Sequence, residues 1–149
     1  MTTQLAIDSF LQQSSLAVVG VSRSGRKFGN AACRVLREKG YTVYPIHPVA
    51  TTIDGVACYR RFIDLPERVE TALVVVPPAH AINVICDAAA AGVRRVWLQQ
   101  GAESDEAEAT ASMLGIDLIA GECILMFAKP SGIHKLHRLC RRVTGSLPR

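Results

Sequence analysis

Residues 15–44, reading SLAVVGVSRSGRKFGNAACRVLREKGYTVY, constrain the fold more than any other part of the 149-residue chain. Residues 16–21 are a short, valine-rich apolar run, which suits a strand buried on both faces. Residues 20–29 form a loop with three glycines, two serines and three cations. Over residues 28–39 apolar side chains recur at helical spacing (Phe28, Ala31, Ala32, Val35, Leu36), and Gly40 marks the helix end. Strand, glycine-bearing turn and helix in that order bring backbone N–H groups and a helix N-terminus to one place, where a phosphate can be held.

The alternation continues along the chain. An amphipathic helix is expected over residues 3–13, with Leu5, Ile7, Phe10 and Leu11 as its apolar side chains and Ser14-Ser15 as its break. A second strand over 42–46 is closed by Pro45 and Pro48. Residues 49–70 read as irregular, with Gly55, Pro66 and a helical turn near Ile63. A third strand over 72–76 stops at Pro77-Pro78, and an alanine-rich helix over 79–91 stops at Gly92. A fourth strand spans 93–98. Ser104 then caps a helix whose first turns carry Asp105, Glu106 and Glu108, where acids favour the helix dipole. That helix ends at Gly115, a fifth strand spans 116–120, and Pro130-Ser131-Gly132 leads into a last helix over 133–144.

Strands and helices that alternate through short connections imply a parallel sheet covered on both faces. The fold class is therefore α/β: a single Rossmann-like, doubly wound parallel sheet of about five strands, with extra N- and C-terminal helices. One domain spans 1–149, with a core over 15–123 and a basic extension over 124–149. At this length a substantial core can be buried.

Six of the 17 Lys and Arg lie after Cys123 and none of the 13 acids does. The body is thus nearly neutral and the tail basic, so the net charge of +4 is no nucleic-acid signal for the whole molecule. No apolar run reaches the roughly 18 residues of a membrane span. The opening MTTQLAIDSF has no cationic segment ahead of an apolar one, and the five cysteines (Cys33, Cys58, Cys86, Cys123, Cys140) are scattered. Both observations point to a reducing cytoplasm.

Against the dinucleotide fingerprint G-x-G-x-x-G the loop offers Gly20, Ser22 and Gly25, so serine replaces the central glycine. Ser22 trades room for a hydroxyl donor, and Arg23, Arg26 and Lys27 add positive charge. The alternative is a solvated turn. An NAD- or FAD-binding domain places an acid after the second strand, whereas here Pro45-Ile46-His47-Pro48 follows and the first acid is Asp54. No G-x-x-x-x-G-K-[ST] loop is present, which argues against phosphoryl transfer.

These residues resemble the CoA-binding protein family, stand-alone Rossmann-like domains similar to the N-terminal domain of the succinyl-CoA synthetase alpha subunit. The resemblance rests on Gly20-Val21-Ser22, Gly40-Tyr41, Tyr44 to Pro48, Gly55, Tyr59, Val76-Pro77-Pro78, Trp97 to Gly101, and Cys123. It implies coenzyme A, or an acyl-CoA, lying across the strand C-termini. The phosphates would meet the loop at Gly20, Val21, Ser22, Arg23 and Ser24, with Lys27 and Phe28 beside them. The adenine would lie between the Pro45, His47, Pro48 turn and the Val76, Pro77, Pro78 turn. Pantetheine would run toward Gln100 and Gly101. Related sequences often carry lysine just after the second-strand proline, where this chain has Val49 and Ala50. The usual partner of the 3′-phosphate is thereby missing, and either Lys27 or Arg26 substitutes for it or nothing does.

The resemblance carries no catalytic constellation, since the synthetase's phosphorylated histidine belongs to another domain. The expected function is a non-catalytic binding or regulatory module. The alternatives are a partner-dependent subunit of an acyl-CoA ligase or transferase, and an NAD(P)-type dinucleotide-binding protein. His47 is read as an adenine or ribose contact or a turn residue. Cys123 follows the fifth strand at the ligand edge, either as a structural cysteine or as a thiol able to form a mixed disulfide with CoA. Cys33, Cys86 and Trp97 are expected in the core. Gln99 and Gln100 cannot both face a ligand, because strand side chains alternate, and Gln100 is favoured. His134, His137 and Cys140 recur every third residue of the last helix but drift around its axis, so no metal is assigned. The apolar stripe of that helix suits the body of the protein or a second copy, and its cations suit an acidic partner or an anionic membrane surface.

Overall fold

The computed structural model describes residues 2–128. In chain order the elements are α1 (Gln4–Leu11), β1 (Ser15–Val19), α2 (Phe28–Glu38), β2 (Thr42–Ile46), β3 (Thr52–Ile53), β4 (Val56–Ala57), β5 (Thr71–Val74), α3 (Pro78–Ala90), β6 (Arg95–Gln99), α4 (Asp105–Met113) and β7 (Asp117–Glu122). Short 3-10 turns lie at Phe62–Asp64, between β4 and β5, and at Ile124–Met126, after β7. Five strands form one sheet in the order β2-β1-β5-β6-β7, every neighbouring pair parallel. The expected last helix over 133–144 and most of the basic extension lie outside the described residues.

Alternation along each strand divides the core in two. Leu16, Val18, Leu73, Trp97 and Ile119 project to the face covered by α1 and α2. Ala17, Ala72, Val74, Val96 and Leu98 project to the face covered by α3 and α4. Both faces are buried, so the strands read as continuous apolar runs rather than alternating ones. On the first face the fully buried Trp97 packs against Phe10 and Phe127, with ring centroids 5.4 and 5.7 Å apart. Its indole N–H donates to the Glu122 carbonyl at 2.9 Å, which satisfies its polar edge. On the second face α3 and α4 meet the sheet through Ala81, Ala88, Ala107 and Ala111, side chains small enough for close helix approach.

Two expectations for individual side chains are corrected. Cys86, expected in the core, is exposed. The buried face of α3 is the one bearing Ala81, Ile85 and Ala88, and Cys86 falls one residue off it. Leu5 is also exposed, because α1 buries only Ile7 and Phe10. Cys33 is buried as expected, and burial pushes its thiol up to about 11.

The irregular stretch after β2 has more order than its composition suggests. Asp54 and Gly55, with φ of 50° and 76°, make a two-residue turn joining β3 to β4 antiparallel. The chain then returns to the main sheet, where Tyr59 bridges Ile46 in parallel. The helical turn near Ile63 is the 3-10 turn at Phe62–Asp64.

Candidate functional site

In sequence the chain passes from β1 to β2 on one side and then crosses to β5 on the other. Strand order therefore reverses between β1 and β5, and open α/β sheets bind ligands in the crevice that such a reversal leaves at the carboxyl edge. Gly20 closes β1 there with φ of 110°. A Cβ on Gly20 would overlap the Val75 carbonyl oxygen, and one on Gly29 would overlap the Gly20 carbonyl oxygen. Two glycines thus let β5, the loop and the start of α2 close on one another. The Val75 N–H donates to the Val19 carbonyl at 2.8 Å and holds the strand ends level.

A cleft of about 320 Å³ opens above this junction. Gly20, Lys27 and Phe28 form one side of it, and Val75, Val76 and Pro77 form the floor. Gln99, Gln100, Gly101 and Ala102 form the far side. Of the expected site residues, Gly20, Lys27, Phe28, Val76, Pro77, Gln100 and Gly101 are brought together here. Gln99 is buried, its Oε1 accepting from the Ile124 N–H at 3.2 Å, whereas Gln100 is exposed. Both residues border the cleft, but Gln99 is tied to the backbone at Ile124 and Gln100, just past the end of β6, is the one open to solvent.

Pro48 lines a neighbouring cavity of about 460 Å³ with Val19 and Ile46. Val21 is buried in the core, and Pro45 is buried in β2 opposite Val18. His47 holds the turn after β2, its Nδ1 accepting from the N–H groups of Val49 and Ala50 at 3.1 and 3.0 Å. Ser22, Arg23 and Ser24 form the loop rim, the two serine hydroxyls 2.9 Å apart. Pro78 opens α3, and Cys123, half-buried, precedes the turn at Ile124–Met126.

Charge is distributed unevenly along the cleft. Among the described residues none of the exposed Arg23, Arg26 and Lys27 joins an ion pair, and no side chain caps the N-terminus of α2. This end is positive and has open N–H donors. At the other end the Gly101 N–H donates to Glu103 Oε2 at 2.7 Å, and Ser104 caps α4 through the Ala107 N–H at 3.1 Å. An anion is therefore favoured at the loop and disfavoured beside α4. Lys27 is the one ionisable side chain among the described residues lining the cleft. No group of three or more His, Cys, Asp and Glu among the described residues could hold a metal.

A brace beneath the loop is absent from the expected set. Asn30 is fully buried in the first turn of α2. Its Oδ1 accepts from the Ser22 N–H at 2.9 Å, and its Nδ2 donates to the Ser22 carbonyl at 2.9 Å. Asp54 lies behind it, 3.4 Å from Asn30 Nδ2 and 2.9 Å from Arg34 Nη1. The first acid after the second strand is thus committed to bracing the loop. The signal for Asn30 was a polar residue among the apolar positions of α2.

A parallel α/β sheet with a glycine-closed junction at its strand reversal and a basic loop beside it has the architecture of a nucleotide-type ligand domain. Residues 14–129 match the CoA binding domain family, and the chain belongs to that family. Coenzyme A is the ligand this membership assigns. The chain is 30% identical over 96 residues to an ADP-forming acetate–CoA ligase II of Archaeoglobus fulgidus, covering 63% of this chain and 14% of that protein. It therefore spans about a seventh of that relative's length. Among solved structures, a conserved hypothetical protein from Pyrococcus furiosus superposes with a TM-score of 0.70 at 36% identity, over 75% of this chain and 97% of that one. A dinucleotide-forming acetyl-coenzyme A synthetase 1 of Ca. Korarchaeum cryptofilum, in complex with phosphate and ADP, gives 0.67 at 30% identity, over 75% and 26%. No helix among the described residues is long and apolar enough to cross a membrane.

Proposed function

We propose that the chain binds coenzyme A or an acyl-CoA along the carboxyl edge of its sheet, as a cytoplasmic binding or regulatory module without a chemical step of its own. The observation that carries this reading is the polarity of the cleft at the β1–β5 reversal. Its positive end, with Gly20, Ser22, Arg23, Ser24 and the open start of α2, suits the diphosphate. The apolar turns at Pro48 and at Val76 to Pro78 suit the adenine face. Pantetheine, which is uncharged, runs over Val75 and Val76 to Gln100 and Gly101. Among the described residues, a lysine standing alone as the cleft-lining ionisable group offers no acid–base pair, which supports binding rather than turnover.

Thermal unfolding with CoA, dephospho-CoA, acetyl-CoA and NAD tests the reading. A ligand at 100 times its Kd stabilises the folded state by about 2.7 kcal/mol. For a chain of this size that shift is on the order of 10 °C. A shift with NAD and none across the CoA series would refute it.

A second reading is favoured by one observation: the curated ligase relatives are several times longer than this chain. In that reading the chain is a partner-dependent subunit of an acyl-CoA ligase. CoA-dependent turnover would then appear only when a second protein is added, and its absence in reconstitution with co-purifying chains would exclude it.

A further inference from the structure

We propose that Arg60 forms the recognition site for the 3′-phosphate of the bound CoA, and that it sets the preference for CoA over dephospho-CoA. The proposal rests on the CoA reading above and goes beyond it to a residue outside the expected site.

The turn that follows β2, Pro48-Val49-Ala50, contains no cation, and the next one along the chain is Arg60. In space that distance disappears. The chain folds back through the β3–β4 hairpin, and Tyr59 pairs with β2. Its N–H donates to the Pro45 carbonyl at 3.0 Å, and its carbonyl accepts from the His47 N–H at 2.8 Å. The bridge between Ile46 and Tyr59 is parallel. Arg60 therefore leaves Tyr59 in the direction in which His47 and Pro48 leave Ile46, toward the carboxyl edge of the sheet. A guanidinium is delivered beside a turn that lacks a cation of its own.

Arg60 and Pro48 line the same 460 Å³ cavity, whose walls include Ile46, Phe62 and Val84. Apolar walls suit the face of a purine, and an arginine at their margin suits the phosphate of an adenosine 3′-phosphate. A phosphomonoester carries about −1.5 to −2 charges at neutral pH and pairs with a guanidinium through two N–H bonds. Two other charged groups line the cavity. Arg61 is committed to Asp64, with Nε–Oδ2 and Nη2–Oδ1 both at 3.2 Å. Asp87 lies nine residues into α3 from Pro78, about 13 Å along the helix from the carboxyl edge. Arg60 joins no ion pair among the described residues.

Calorimetric titration of wild type, Arg60→Gln and Arg60→Lys with CoA and with dephospho-CoA tests the assignment. Wild type is expected to prefer CoA tenfold or more. Arg60→Gln should lose that preference by weakening CoA alone, with dephospho-CoA affinity unchanged. Arg60→Lys should restore part of it. Equal wild-type affinity for the two ligands, or an equal loss for both in Arg60→Gln, would overturn the proposal. Binding of neither ligand by folded wild type would instead overturn the CoA reading itself, and this assignment with it.

Discussion

The side-chain amide of Asn30 grips the backbone of Ser22 at both ends, accepting from its N–H and donating to its carbonyl, each at 2.9 Å. Because Asn30 is fully buried, this peptide-like pairing is shielded from water, and Arg34 and Asp54 lock it from behind. The loop at the mouth of the cleft is thereby preorganised by a residue that no ligand needs to touch. Asn30→Ala should leave both Ser22 backbone groups without that partner and destabilise the fold by about 1–3 kcal/mol. Affinity for CoA should fall as well, because the loop must then be ordered on binding. Urea unfolding and calorimetry separate the two effects. A loss of stability with unchanged affinity would remove the positioning role.

Gly20 should tolerate no side chain. Gly20→Ala drives a Cβ into the Val75 carbonyl oxygen, whereas Gly55→Ala, also at positive φ, meets open space. Gly55→Ala reports the cost of the backbone conformation alone, about 1 kcal/mol. Gly20→Ala adds overpacking of about 1–3 kcal/mol, and it separates β1 from β5 where the cleft is built. Denaturation midpoints of equal size for the two variants would contradict the close approach.

Burial of the Cys33 thiol gives the fold an alkaline limit. Its folded pKa of about 11 lies above the ordinary 9.0, so the unfolded state loses its proton first. The associated stability is complete below pH 9 and is lost as pH rises through 11. Two units correspond to roughly 2–3 kcal/mol. Burial raises Cys58 and Tyr41 in the same direction. Urea unfolding at pH 8 and pH 10.5 should show a smaller loss for Cys33→Ala than for wild type.

What could be read in the residues alone was whatever depends on short-range pattern. Leu16 to Val19 and the strands around Leu73 and Trp97 are apolar on both faces, and Ser104 is an N-cap with acids behind it. Those signals located the sheet and its carboxyl edge at Gly20, whereas Val76 and Gln100 entered through the family resemblance. The brace was not legible, because Asn30 and Asp54 are 24 residues apart and meet only when the β3–β4 hairpin folds back. That hairpin had a local signal, Asp54-Gly55 between the strand-forming pairs Thr52-Ile53 and Val56-Ala57, which Gly55 alone does not disclose. Cys86 was misplaced because nearly every side chain in α3 is small or apolar, so periodicity does not identify its buried face.

Glu103 should decide which acyl groups the far end of the cleft accepts. Its carboxylate already accepts from the Gly101 N–H at 2.7 Å, and Asp105 and Glu106 are exposed just beyond. On the proposed path of pantetheine toward Gln100 and Gly101, the acyl group would emerge beside these acids. A terminal carboxylate placed about 5 Å from Glu103 is repelled by roughly 1 kcal/mol in a water-like dielectric and by more where water is excluded. Acetyl-CoA should therefore bind about five- to tenfold more tightly than succinyl-CoA at low salt, and the gap should narrow as salt is added. Glu103→Gln keeps an acceptor for Gly101 while removing the charge. It should raise succinyl-CoA affinity severalfold and leave acetyl-CoA unchanged. Competition calorimetry with the two thioesters measures the gap directly, and an unaltered ratio in Glu103→Gln would show that the acyl group leaves the cleft elsewhere.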